Sequence, residues 1–254
     1  MGQQSLRQIV EFLDRELRPG DFTDRSHNGL QVENDGHVRK VCCGVSASLE
    51  FFEAARERGA DLLICHHGLS WGDSLKRITG LNYRRLSFLI RNNAALYACH
   101  LPLDAHPRYG NNALIVKALG LTGVRPFGLY SGRLIGFQGR LPKAMAYAAF
   151  KRLVGRAIGP RLTTMDFGAQ TVRTVGVISG GAAAELDEAG REGLDVYVSG
   201  EPNLMAYDLA REYRINAVFA GHYATEVFGV RALAGLVRRR FRIPAEFVDL
   251  NVPY

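Results

Sequence analysis

The sequence lacks the features of membrane, secreted and disulfide-rich proteins. No apolar run approaches the roughly 18 residues that span a bilayer, so we expect no membrane partner. The first residues, Met1 to Arg7, lack the apolar core of a signal peptide. The four cysteines include no C-x-x-C pair, which argues against a disulfide framework and favours reduced core thiols. These absences predict a cytoplasmic protein.

Several motifs of common catalytic and binding classes are also missing. No G-x-x-x-x-G-K-[ST] loop occurs, which excludes a P-loop nucleotide-binding protein, and no G-x-S-x-G turn occurs, which argues against a serine hydrolase. No zinc-finger or RNA-recognition signature is present. Any chemistry must therefore come from other residues.

The composition is that of an ordinary globular protein with a basic excess. Hydrophobic residues make up 47% of the chain and charged residues 22%, and the net charge of +7 attracts anions such as nucleotides or nucleic acid. The run Arg238-Arg239-Arg240 is better explained as solvated cations at the end of a helix, where positive charge suits the helix dipole.

Apolar runs alternate with helical periodicity in two successive series. The first series has strands near 38–45, 61–65 and 94–99, and the second has strands near 171–178, 195–199 and 217–220. Asn111-Asn112 can cap a helix that follows the first series, and between the series residues 123–142 are rich in glycine and turns, with a strand at Leu134–Leu141 and a helix from about Lys143. Continuous apolar strands separated by helices are typical of parallel sheets covered on both faces. The sequence therefore predicts an α/β fold of two interlinked, duplicated β-α-β lobes with mostly parallel sheets, the first at 1–122 and the second at 123–254.

The two series have the same spacing. Val41 to Asp61 and Val175 to Asp195 span equal lengths, and a glycine ends the helix in both. Chance similarity between α/β units is the alternative to duplication. Duplication is preferred because His100-x-x-x-Asp104 and His222-x-x-x-Glu226 recur after the third strands, and it predicts that these pairs occupy related positions.

Four of the seven histidines follow strand-like runs. In an open α/β sheet, ligands bind outside the carboxyl ends of the strands, so we expect these histidines to converge with two acids on one crevice. Imidazoles with carboxylates suit Zn²⁺, Mn²⁺, Fe²⁺ or Co²⁺ better than Ca²⁺ or Mg²⁺. A surface histidine beside a stabilising carboxylate is the simpler alternative for each pair. The six residues are His66, His67, His100, Asp104, His222 and Glu226.

At these residues the chain resembles the Nif-three-like family, whose members are called GTP cyclohydrolase 1 type 2 homologues. The resemblance covers essentially the whole chain, in the compact bacterial type without an inserted central domain. One departure is Tyr223, where close relatives carry a second histidine. The matching stretches are Asn28-Gly-Leu-Gln-Val, His66-His67-Gly, His100-Leu-Pro-Leu-Asp104-Ala-His-Pro, Gly110-Asn-Asn, Ser199-Gly-Glu201 and Gly221-His222-Tyr-Ala-Thr-Glu226.

The resemblance implies a ring-shaped homohexamer, or toroid, with two divalent metal ions per subunit. It implies a ligand set of His66, His67, Asp104, His222 and Glu226, with Glu226 bridging the ions. His100 is expected near the metals, as a ligand or as the catalytic acid and base.

The expected function is hydrolysis by a dinuclear metal centre, with GTP or another purine nucleotide as the small-molecule partner. The alternative is a hexameric scaffold or regulator that binds nucleic acid or protein and uses the metals structurally. Metal storage is a weaker third alternative.

Overall fold

A computed structural model describes residues 3–254 as two compact units. The first unit contains the chain up to Leu103 together with Gly229–Asn251, and the second contains Asp104–Phe228 together with Val252–Tyr254. The predicted lobes were 1–122 and 123–254; here the first boundary falls at Leu103, and the chain later returns to the first unit to supply the last strand of its sheet. Met1 and Gly2 lie outside the described residues. They begin the segment Met1 to Arg7, which the sequence predicts not to be a signal peptide.

The first part of the chain forms six strands and the helices between them. In order, these elements are β1 Gln4–Ser5, α1 Leu6–Leu17, β2 Gly29–Val32, β3 His37–Val38, β4 Val41–Ser46, α2 Leu49–Glu57, β5 Leu62–His67, α3 Gly80–Arg91 and β6 Ala95–Ala98.

The rest of the chain supplies the second sheet and then returns to the first. Its elements are α4 Leu101–Asp104, α5 Asn111–Ala118, β7 Thr122–Tyr130, β8 Arg133–Ala146, α6 Tyr147–Ala157, β9 Thr163–Asp166, β10 Thr171–Val177, α7 Leu186–Arg191, β11 Val196–Ser199, α8 Leu204–Tyr213, β12 Asn216–Phe219, α9 His222–Phe241 and β13 Ala245–Phe247.

The sheet of the first unit has the strand order β13-β4-β5-β6-β2. The pairings from β13 to β6 are parallel, and β2 adds an antiparallel edge to β6. Phe51 and Phe52 of α2 pack with Leu89 of α3 against β-strand residues such as Leu63, and all four are buried. This core fixes the ends of β5 and β6, from which candidate histidines extend.

The sheet of the second unit is mixed. Its order is β7-β8-β10-β11-β12-β9, and only the β10-β11 and β11-β12 pairings are parallel. The expectation of mostly parallel sheets was therefore wrong here, although the α/β class is confirmed. The difference lies in segment 123–142, whose glycines indicated turns around a single strand at Leu134–Leu141. The segment instead forms most of a long hairpin from Thr122 to Ala146, and the expected strand is part of β8. The helix expected from Lys143 begins only at Tyr147, because β8 runs on to Ala146.

The duplication is visible in the strand register. Val41 pairs with Leu62 in the first unit, and Val175 pairs with Val196 in the second, which is the same alignment as the equal spacing predicted. In the third strands, Ala95 faces Leu62 and Asn216 faces Val196.

This third-strand register corrects one prediction. His100 is the fifth residue after Ala95, and the fifth residue after Asn216 is Gly221. The expected equivalence of His100 with His222 was therefore wrong by one residue.

No helix within residues 3–254 is both long and apolar enough to cross a membrane. The longest of these helices, α9, has 20 residues, but it carries Arg238, Arg239 and Arg240 in its last turn.

Candidate metal-binding site

Three of the candidate histidines form a cluster in the first unit. His66 and His67 end β5, and His100 follows β6 by two residues. One ring nitrogen from each of the three lies within 4.8 Å of the others, and the ring centroids of His66 and His100 are 5.0 Å apart. We call His66, His67 and His100 the histidine cluster.

Hydrogen bonds on the far side of two rings fix which nitrogen faces the cluster. Nδ1 of His66 lies 3.0 Å from the carbonyl oxygen of Cys99, and Nδ1 of His100 lies 3.0 Å from Oδ1 of Asp24. A carbonyl or carboxylate oxygen can only accept, so each Nδ1 carries the proton. Nε2 of each ring is then the nitrogen that faces the cluster, which is how metal-binding histidines are commonly oriented by outer-shell acceptors.

Asp24 holds His100 from a buried position. Burial alone would raise the pKa of this carboxyl, but its hydrogen bond with His100, the charge of His100 and the amide of Asn28 together lower the pKa to about 2. Asp24 also accepts hydrogen bonds from the backbone N–H groups of Ser26 and Leu101. The ionised carboxylate therefore fixes both the ring of His100 and the turn that carries it.

A hydroxyl and an indole also contact the histidine cluster. Nδ1 of His67 lies 3.2 Å from Oγ of Ser46. The Trp71 ring lies edge-on to His100 with centroids 4.8 Å apart, and its Nε1 donates to the carbonyl of Gly68. The cluster thus has an aromatic wall on one side, which limits the access of water to His100.

His222 and Glu226 form a second group, in the second unit. They are one helical turn apart at the start of α9, with Nε2 of His222 3.0 Å from Oε1 of Glu226. On the other side of the ring, Nδ1 lies 3.3 Å from Oε2 of Glu201. We call His222, Glu226 and Glu201 the acidic cluster.

Two carboxylates change the protonation of His222. Burial by itself would lower the pKa of this imidazole, but the hydrogen bond and charge of Glu226, together with Glu201, raise it to about 9. The ring is therefore protonated at neutral pH in the metal-free protein, and it has to release this proton before Nε2 can bind a metal ion.

Glycines let the backbone approach the acidic cluster. Gly180 has a φ of +66°, and a Cβ at this position would lie 2.3 Å from Oε1 of Glu226. A Cβ on Gly200 would lie 2.8 Å from the Cα of His222. The Gly180-Gly181 turn therefore places backbone directly against the carboxylates of the acidic cluster.

Asp104 is buried in the second unit, where it accepts hydrogen bonds from Nδ2 of Asn111 at 2.8 Å and Oγ of Ser179 at 2.9 Å. The Asn111-Asn112 pair was expected to cap α5. Instead both residues belong to the helix, and Asn112 joins the carbonyl of Ile135 to the backbone N–H of Ser179.

The structure thus groups the predicted residues by unit. The histidine cluster includes His100, which was expected near the metals as a ligand or as the catalytic acid and base, while Asp104, His222 and Glu226 belong to the second unit. Imidazole nitrogens oriented by acceptors, and buried carboxylates, fit a borderline divalent metal ion. The ligand roles of these residues and the catalytic role of His100 stay predictions.

Asp24, Glu201 and Ser179 were missed as site residues. Glu201 stands in the Ser199-Gly-Glu201 motif, and the partners Asn28 and Asn111 also stand in quoted motifs, but nothing in a linear pattern says which side chain faces a histidine. Asp24 has no signal beyond its spacing of four residues from Asn28.

Comparison with known proteins gives a consistent result over the whole chain. The model of the Duf34/NIF3 (NGG1p interacting factor 3) family matches residues 4–252. A Deinococcus radiodurans protein called GTP cyclohydrolase 1 type 2 homolog is 42% identical over 99% of this chain and 95% of its own length. A protein of the same name from Pseudomonas aeruginosa is 38% identical over 98% of each chain.

Solved structures agree with these relatives. The protein TTHA1606 from Thermus thermophilus is 37% identical, with a TM-score of 0.90 over 99% of this chain and 100% of its own. Protein ybgI, described as of unknown function, is 31% identical, with a TM-score of 0.93 over the same shares. No inserted domain distinguishes this chain from them. The chain therefore belongs to the Duf34/NIF3 (NGG1p interacting factor 3) family.

Proposed function

We propose that this chain is a metal-dependent hydrolase that acts on GTP or another purine nucleotide. The observation that carries this proposal is the histidine cluster, in which a carbonyl and an ionised carboxylate orient His66 and His100 as metal ligands are commonly oriented. The name of the curated relatives, GTP cyclohydrolase 1 type 2 homolog, supports the choice of substrate.

We propose two divalent ions per subunit, of Zn²⁺, Mn²⁺, Fe²⁺ or Co²⁺. The proposed ligands are His66 and His67 in the first unit, and Asp104, His222 and Glu226 in the second. Bound ions would lower the pKa of a water molecule and polarise the bond to be cleaved. A bridging role for Glu226 stays a prediction from the family resemblance.

The protein's own residues would position and move protons around the reacting bond. His100, held by Asp24 through Nδ1, presents Nε2 as a general base and, once protonated, as a general acid. Trp71 shields one side of this ring from solvent. Ring opening and phosphate hydrolysis both use these roles, so the product distinguishes them.

The test is mass-spectrometric turnover of GTP and a panel of nucleotides by the metal-loaded protein. Glu226→Ala and His67→Ala should lose metal and product while retaining the circular dichroism of the wild type. His37→Ala is the control, because this exposed histidine lies outside both clusters. Two ions retained in both test variants would show that the ligand assignment is wrong.

The alternative function is a homohexameric ring scaffold or regulator that binds protein or nucleic acid. The hairpin favours self-association, since its apolar residues Leu129, Tyr130 and Leu134 are exposed. Light scattering tests the hexamer, and a monomer at working concentration would remove it. Absence of product from every nucleotide would favour the scaffold over the hydrolase.

A further inference from the structure

A cavity of about 400 Å³ lies in the first unit, between the outer face of α1 and the end of α9. Its basic residues are Arg15 from α1, Arg240 from the last turn of α9, and Arg242 just beyond it. We call this cavity the arginine pocket. It contains no residue of the histidine cluster or the acidic cluster, so its role is independent of the proposed hydrolase.

The three guanidinium groups lack carboxylate partners. Within residues 3–254, none of Arg15, Arg240 and Arg242 makes an ion pair. Glu11 is the one acid among the residues that line the pocket, and its Oε1 is already 2.7 Å from Nε of Arg7. Like charges gathered around a cavity repel one another, and an anion in the cavity would remove this repulsion.

Aromatic rings hold one guanidinium in place. The Cζ of Arg240 lies 5.7 Å from the ring centroid of Phe12 and 5.6 Å from that of Phe241. The two rings pack edge to face with centroids 5.4 Å apart. A planar guanidinium fixed in this way loses less conformational entropy when it binds a ligand.

Arg242 occupies a backbone position that glycine usually fills. Its φ is 55° and its N–H donates to the carbonyl of Arg238, which ends α9 in the left-handed conformation. This conformation is unfavourable for an L-residue, and the helix end itself does not require an arginine.

The neighbouring arginine behaves differently. Nη1 of Arg239 lies 3.1 Å from where a Cβ of Gly235 would be, so this side chain folds back along its own helix and does not line the pocket. The helix-dipole explanation of the run Arg238-Arg239-Arg240 is therefore sufficient for Arg239. It does not explain why the side chain of Arg240 lines the pocket.

We propose that the arginine pocket binds a small phosphate-bearing anion of the size of a nucleoside diphosphate. Guanidinium groups match the oxygens of a phosphate bidentately. The amides of Gln4 and Gln8 line the same cavity and offer neutral hydrogen-bonding groups for the uncharged part of the ligand. The volume of about 400 Å³ is in the range of small-molecule sites, which favours a small molecule over an extended nucleic acid strand.

The experiment is calorimetric titration of the full-length protein with ADP, with inorganic pyrophosphate and with a short single-stranded RNA, at about 0.1 M salt. We expect ADP and pyrophosphate to bind. Arg15→Gln and Arg240→Gln should each weaken ADP binding by about tenfold or more, the usual effect of losing a charge-assisted contact. Arg239→Gln removes the same charge outside the pocket and should change it less than about twofold.

Other outcomes would overturn the proposal. If neither ADP nor pyrophosphate binds, the proposal is wrong. If Arg239→Gln and Arg240→Gln weaken ADP binding equally, the anion is attracted by net charge alone and the proposal is also wrong. RNA binding without ADP binding would identify a nucleic acid surface instead. His67→Ala should retain ADP binding; if it abolishes binding, the ligand occupies the candidate metal site.

Discussion

The two β-α-β-α-β series agree closely within their strands and differ beyond them. The backbone N–H of Arg39 donates to Asp61 at 2.7 Å, and that of Arg173 donates to Asp195 at 2.8 Å, at positions matched by the shared register. The helix ends match as well, since Gly59 and Gly193 have φ values of 71° and 67°.

Past the carboxyl ends of the strands the equivalence is lost. Where the first unit has His66-His67, the second has Gly200-Glu201, and where the first has Ser46, the second has Gly180. A shared framework thus carries imidazoles in one unit and carboxylates with close backbone turns in the other. Because these residues lie at the last positions of the strands or just beyond them, they can differ without altering the register that aligns the sheets.

The largest expected effect comes from exchanging a glycine that only the second unit requires. Gly180→Ala places a Cβ 2.3 Å from Glu226 Oε1 at a φ of +66°. We expect a loss of about 2–4 kcal/mol in the free energy of unfolding, from the left-handed backbone and the overlap. Urea unfolding measures this loss. Ser46→Ala, at the matched position, should cost about 1 kcal/mol from its hydrogen bond with His67. Equal losses of unfolding free energy in Gly180→Ala and Ser46→Ala would contradict this difference between the two units.

The outer-shell carboxylates of the two clusters should also differ. Asp24→Asn should weaken Zn²⁺ affinity at the histidine cluster by about tenfold or more, because a buried charge no longer orients His100. Glu201→Gln should weaken affinity by less than about threefold, since the Glu201 side chain is 45% exposed. Competition with a chromophoric chelator gives both values. A larger effect for Glu201 would contradict the ranking by burial.

The matched aspartates allow a test against pH. Burial would raise the pKa of Asp61, but the hydrogen bonds and charge of Arg39 lower it below its ordinary value. The ionised carboxylate therefore adds stability above the unfolded pKa of about 3.9, and this contribution is lost as pH falls through the lower folded pKa.

We accordingly expect Asp61→Asn to cost about 1–2 kcal/mol at neutral pH, with the deficit shrinking as pH falls below about 4. Urea unfolding across this pH range measures it. Asp195→Asn is the matched control for loss of the shared backbone hydrogen bond, since Asp195 has no arginine side chain bonded to it among the contacts of residues 3–254. A deficit in Asp61→Asn that does not vary with pH would contradict the role given to Arg39.

The smallest effect concerns helix starts. Oγ of Ser48 accepts from the N–H of Phe51 and caps α2, whereas the matched residue Ala182 has no capping side chain and a 3₁₀ turn precedes α7. Ser48→Ala should cost about 0.5–1 kcal/mol by thermal unfolding. This substitution gives α2 the same uncapped start that Ala182 gives the second unit, so a neutral result would mean that α2 depends on packing rather than on its cap.

The strands of both parallel series were predictable because their apolar runs are continuous and turns bound them. Local sequence also predicts the start of α8, because Asn203 is a residue type that commonly caps helices and its side chain caps α8. A strand at Leu134–Leu141 was predicted, but its partner β7 was missed because Gly123, Gly128 and Gly132 suggested turns. Pairing with β10 also keeps β8 extended through Pro142. Long-range pairing there outweighs the local signal.

The site was predictable in part for the same reason. The histidines follow strands, so their place beside one another in the first unit follows from topology. Asp24 contacts His100 across 76 positions of the chain, and no pattern of local spacing contains that contact.

The return of the chain to the first unit has a consequence for folding order. β13 pairs in parallel with β4, so Ala245 lies beside Val41 although about two hundred residues separate them. The strands of the second unit lie within one continuous segment, and they can pair before β13 has been synthesised. The sheet of the first unit therefore reaches its full width only after Phe247 has left the ribosome, and until then the outer edge of β4 is open to mispairing.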